Sequence, residues 1–137
     1  MRKLILAITL IISTFAFAQD ETGWKYIGDT NDGSEIYVKI ESIDTYLKEA
    51  WVKMTNPVIS KKNKVGKIIK SGGGYSIGYW AVKCEDKTFS LSSRMKYNSK
   101  GAVLSQGEEY LDPRDERIIP DTVGEHIFKY ICNYKSE

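Results

Sequence analysis

The chain has 137 residues, with 20 basic and 18 acidic side chains, one histidine and two cysteines, giving a formal net charge of +2. That length suits one domain with a modest core, and the near balance of charge does not imply whole-molecule attraction to nucleic acid or to an anionic membrane. One histidine and two cysteines without a CxxC spacing cannot close a structural zinc site.

The N-terminus reads as an export signal. Arg2 and Lys3 precede a run from Leu4 to Phe17 that is apolar apart from Thr9, Ser13 and Thr14, and Ala16-Phe17-Ala18 is a small-x-small cleavage pattern before Gln19. The run is about fourteen residues, short of the roughly twenty that a spanning helix needs. The expected signal is 1–18 and the expected mature domain 19–137, placed in the periplasm, at the cell surface or outside the cell. Because Gln19 rather than cysteine follows the cleavage point, a lipoprotein anchor is not expected. Losing Arg2 and Lys3 leaves the mature chain formally neutral, yet its charges are segregated. Seven lysines and no acid lie between Ala50 and Cys84, whereas Glu108 to Glu125 carries seven acids against Arg114 and Arg117.

In chain order, Trp24 to Gly28, Glu35 to Ile40 and Ala50 to Thr55 read as three strands, with Thr30-Asn31-Asp32-Gly33 as the first turn. The segment 57–74 contains Pro57, five lysines and Gly72-Gly73-Gly74. This composition predicts an exposed, flexible loop, with short order available around Val65, Ile68 and Ile69. Tyr75 to Lys83 reads as a central strand in which Trp80, Val82 and Cys84 point the same way. From Lys87 to Tyr97 the alternation is strict: Phe89, Leu91, Ser93, Met95 and Tyr97 share one face, and Thr88, Ser90, Ser92, Arg94 and Lys96 share the other. Asn98-Ser99-Lys100-Gly101 is a turn into a last strand from Ala102 to Tyr110.

One helix is expected near the C-terminus. Thr122 and Glu125 have the spacing of a capping box, Pro120 stands just before it, and Val123, Ile127, Tyr130 and Ile131 form one apolar stripe. Six strands followed by one helix make an α+β domain: an antiparallel meander sheet with the helix packed on it. Two cysteines in an exported chain pair most simply with each other, and a bond between Cys84 and Cys132 staples the helix end to the sheet's core face.

No constellation of catalytic residues emerges. His126 has no activated nucleophile or orienting partner in the sequence, and reads as a helix-surface histidine. The acids Glu108, Glu109, Asp112, Asp115 and Glu116 lack calcium-loop spacing, and Ser71-Gly72-Gly73-Gly74-Tyr75 leads into a strand where a phosphate loop leads into a helix. No metal or cofactor is expected. The best binding candidates are Lys61, Lys62, Lys64, Lys67 and Lys70, five cations within ten residues, which suit sulfated glycans or acidic protein surfaces. A second candidate is the aromatic surplus of nine tyrosines and three tryptophans.

In order along the chain, several motifs resemble the surface-adhesin protein E family of exported bacterial proteins. They are Trp24, Val38-Lys39-Ile40-Glu41-Ser42-Ile43, Ala50-Trp51-Val52-Lys53, the Tyr79 to Cys84 strand, Tyr97-Asn98-Ser99-Lys100-Gly101, and Ile119-Pro120-Asp121-Thr122-Val123-Gly124-Glu125 leading to Cys132. The resemblance implies an antiparallel sheet with a C-terminal helix, a Cys84–Cys132 bond, and adhesion to matrix or plasma proteins such as vitronectin, laminin and plasminogen. The expected function is therefore a non-enzymatic, exported, adhesin-like binding module. The alternative is a periplasmic inhibitor or envelope-associated factor that binds an enzyme, and a hydrolase comes third.

Overall fold

The computed structural model describes residues 23–106 and 114–136. The expected signal and the acids Glu108, Glu109 and Asp112 lie outside them. Six strands form one antiparallel meander in the spatial order β1 (Lys25–Asp29), β2 (Glu35–Ile43), β3 (Lys48–Thr55), β6 (Tyr75–Lys83), β7 (Thr88–Tyr97) and β8 (Val103–Gln106). The short β9 (Glu116–Arg117) pairs with the start of β7. Between β3 and β6 the chain makes an excursion through β4 (Val58–Lys62) and β5 (Ile68–Gly72), which pair only with each other. The helix α1 (Val123–Asn133) closes the domain.

Alternation places Ile36 and Val38 of β2, Ala50 and Val52 of β3, and Trp80 and Val82 of β6 on one face, where α1 covers them with Ile127, Phe128 and Ile131. Phe128 lies outside the stripe read from the sequence, and Val123, inside it, is exposed. At the N-terminus of α1 the Glu125 amide donates to Thr122 Oγ1 at 3.2 Å, as the capping-box spacing predicts. The Glu125 carboxylate reaches one residue further back than expected and accepts from the Asp121 N–H at 3.0 Å. Cys84 and Cys132 are bonded, with Cα atoms 5.7 Å apart.

Four β-bulges depart from simple alternation. In β7, Leu91 lies opposite Trp80 and Ser93 opposite Tyr79, so Ser92 is an extra residue. The strand therefore does not keep one apolar face. Phe89 and Leu91 point to the core, whereas Ser93, Met95 and Tyr97 point to the opposite face, and Ser90, expected outward, is buried. In β2 the extra residue is Glu41, in β1 it is Ile27 and in β8 it is Leu104.

The segment 57–74, expected as a loop, is a hairpin. Its turn is Asn63-Lys64-Val65-Gly66: the Gly66 N–H donates to the Asn63 carbonyl at 3.0 Å, and Asn63 Oδ1 accepts from the amides of Val65 and Lys67. Gly66, with φ +80°, supplies the left-handed residue that lets a type I turn feed a twisted hairpin. Asn98 to Gly101 repeats the same bonds between β7 and β8.

The register of the β3–β6 pair continues unbroken into this hairpin. Lys48 is opposite Val82, Thr55 opposite Tyr75, Val58 opposite Gly72 and Lys62 opposite Ile68. The two pairs are thus one long ribbon interrupted at a joint, which is bridged by the Asn56 N–H to the Gly74 carbonyl at 2.9 Å. Pro57 has no N–H to donate there, and Gly72, Gly73 and Gly74 all have positive φ. A Cβ on Gly74 would overlap the Tyr97 carbonyl, and one on Gly72 the Pro57 carbonyl, so both positions exclude any other residue without backbone movement.

Candidate binding surfaces

The β4–β5 hairpin is an arm without a core. Every residue of both strands is exposed, including Val58, Ile59, Ile68 and Ile69, which with Val65 at the turn are between 49% and 89% exposed. Cross-strand register sorts its side chains into two faces. Val58, Ser60, Lys62, Ile68 and Lys70 lie on one; Ile59, Lys61, Ile69 and Ser71 lie on the other. Lys64 stands in the turn and Lys67 just before β5. The five candidate lysines are therefore brought onto one arm but not onto one face. Each face interleaves cations with aliphatic side chains, and the segment 57–74 carries no acid.

The face of the sheet opposite α1 is aromatic. Tyr26 and Tyr37 meet edge to face with ring centres 5.6 Å apart, Trp51 and Tyr79 do so at 4.7 Å, and Tyr75 stacks on Tyr97 at 4.6 Å. Lys53 Nζ sits over the rings of both Trp24 and Tyr37, 4.8 and 4.6 Å from their centres. Such contacts hold the cation against the rings and fix the rings in turn. Carboxylates rim this face. Glu35 accepts from the Tyr37 hydroxyl at 2.7 Å, and this bond, above burial, raises the phenol's pKa. Burial first, and Glu49 second, raise that of Tyr79. Part of the aromatic surplus noted in the sequence is thereby located: Tyr26, Tyr37, Trp51, Tyr79, Tyr75 and Tyr97 form cross-strand pairs on the side of the sheet opposite α1.

The other candidate residues have structural partners. His126 Nε2 donates to the Ile27 carbonyl at 2.8 Å, the carbonyl of the residue that the β1 bulge leaves over. The histidine thus ties α1 to the edge strand, and a Cβ on Gly28 would stand 3.2 Å from the same nitrogen. Asp115 pairs with Lys83 at 2.6 Å and Glu116 lies in β9, so the two acids inside the described residues are taken up separately. Among the described residues no three His, Cys, Asp or Glu side chains gather as a metal site, and no helix is long and apolar enough to cross a membrane.

Lys48 is a structural anchor that the sequence expectations do not contain. On the core face with Ala50 and Val52, it extends under the end of α1 and donates to the carbonyls of Cys132 at 2.7 Å, Tyr134 at 3.1 Å and Ile131 at 3.3 Å. Its signal was present: the helix has no basic residue in its own last turn, and Lys48 shares the parity of a buried strand face.

A family model described as surface-adhesin protein E matches residues 24–133. No curated protein and no solved structure matches the chain.

Proposed function

The chain belongs to the surface-adhesin protein E family, and from that premise we propose that it is a non-enzymatic, exported binding module that holds a partner through the β4–β5 arm. The observation that supports this reading is the arm itself: a fully exposed hairpin with five cations, no acid and five uncovered aliphatic side chains. Natural proteins rarely leave such a hairpin unpaired unless its surface is used, because an isolated two-stranded ribbon is marginal in water and its edges invite association. Lys61, Lys62, Lys64, Lys67 and Lys70 draw an anionic partner, and the aliphatic residues between them supply the apolar contact that outlasts salt screening.

The test is binding of the mature protein to immobilised vitronectin across a salt series, beside a variant with all five lysines changed to glutamine. Weaker binding and a flatter salt dependence in the variant are expected; unchanged binding removes the arm from the function. A narrow arm exposed on both faces also has the shape to enter an enzyme cleft, the inhibitor reading. Stoichiometric capture of one envelope enzyme, with no affinity for matrix proteins, would favour that role. Probing intact cells for the protein decides between display at the surface and confinement to the periplasm.

A further inference from the structure

The arm has two free backbone edges as well as two free faces. The Asn63 N–H donates to the Lys67 carbonyl at 2.9 Å, which makes these two residues a hydrogen-bonded pair at the turn. In an antiparallel ladder such pairs alternate with pairs whose amides and carbonyls point away from the partner strand. Counting from the turn, Lys62, Ser60 and Val58 direct their backbone groups outward from β4, and Ile68, Lys70 and Gly72 direct theirs outward from β5. Among the described residues no other strand pairs with either edge.

We propose that the arm takes its partner by strand addition: an extended acidic segment of a partner protein pairs with one outer edge of β4–β5. Its carboxylates meet the lysines, and its apolar side chains cover Val58, Ile59, Ile68 and Ile69. This rests on the arm being the binding element and adds how the partner is held. Charge chooses the occupant. A second copy of the arm would set five lysines against five, with no acid in 57–74 to separate them, whereas an acidic strand neutralises them. A glycan answers the lysines but leaves the outward amides and the aliphatic residues without partners, so a peptide satisfies more of the surface.

The probe is a synthetic peptide of about ten residues alternating glutamate and valine, long enough to span a five-residue strand. Its binding is followed by fluorescence anisotropy and by amide hydrogen exchange on the unmodified protein. Exchange is expected to slow at Ser60 and Lys62, or at Ile68 and Lys70, according to the edge used. Ser60→Pro and Lys70→Pro each remove one outward N–H without touching the ladder between the strands, and the variant on the occupied edge should bind about tenfold more weakly, with Lys70→Pro compared against Lys70→Gln because it also loses a cation. Circular dichroism and an intact sheet in the exchange profile verify that each variant is folded. Peptide binding with no amide protection, and with both proline variants within about twofold of wild type, overturns strand addition and leaves the lysine-based function standing. Absence of peptide binding overturns it too, as does occupancy of the arm by a heparin oligosaccharide alone.

Discussion

Lys48 Nζ lies 2.7 Å from the carbonyl oxygen of Cys132, the residue whose sulfur is bonded to Cys84. The end of α1 is therefore held twice, by a covalent tie to the strand end after β6 and by a cation from β3 at the negative pole of the helix. Replacing Lys48 by methionine keeps the aliphatic stem and leaves three carbonyls without the charge. A loss of about 1–2 kcal/mol is expected, read as a lower urea midpoint at unchanged m-value. A midpoint equal to wild type would show that water replaces the ammonium at no cost.

The disulfide closes a separation of 48 residues, for which the chain-entropy estimate is about 4 kcal/mol. Changing both cysteines to serine should lower stability by that order. Because Lys48 grips the same helix end, its substitution should cost more in the serine background than in the bonded protein. A double-mutant cycle measures this coupling, and strict additivity would mean that the two anchors act independently.

The joint of the ribbon depends on glycines. Gly74→Ala places a Cβ against the Tyr97 carbonyl, and the main chain must move away. The cost expected is about 1–3 kcal/mol, with amide protection lost in β4 and β5 and retained in β2 and β3. Gly101→Ala, where a Cβ meets nothing within 4 Å but φ is +80°, is the control for strain without collision and should cost less.

Glu125 gives a pH dependence of known sign. Its carboxyl is held below the usual carboxylate range, first by the Lys129 ammonium at 2.8 Å and then by the Asp121 N–H. A folded-state pKa below the unfolded one contributes stability that is fully present above the unfolded value, about 4.3, and is lost as pH falls through the depressed folded value. Glu125→Gln should therefore melt closer to wild type at pH 3 than at pH 7. Equal differences at both pH values would dismiss the contribution of this cap.

The meander, the helix and its Thr122 cap were legible because each rests on local signals that tertiary structure had no reason to overrule, and the cysteine pair because two cysteines have only each other. The bulges were not. Nothing in Ser92 distinguishes it from Ser90 or Ser93, and the extra residue is recognised only when Tyr79 and Trp80 are seen to face residues two apart. The arm was missed for a different reason. Asn63-Lys64-Val65-Gly66 has the same Asn-x-x-Gly form as the turn Asn98-Ser99-Lys100-Gly101, but in composition Pro57 and three consecutive glycines dominate the segment. Those breakers mark the joint alone; the chain on either side of them pairs in one register. The lysines were identifiable by composition, whereas their division between two faces needed the register.

That common register also decides how the molecule bears tension. A partner pulling on the arm loads β3 and β6, the two innermost strands of the meander, each flanked by a further strand. Drawn along their length, these strands strain the ladders to β2 and β7 in shear, many hydrogen bonds at once, because those bonds run perpendicular to the strands. The Cys84–Cys132 bond lies just beyond the far end of β6, so slippage of that strand drags on the helix covering the core.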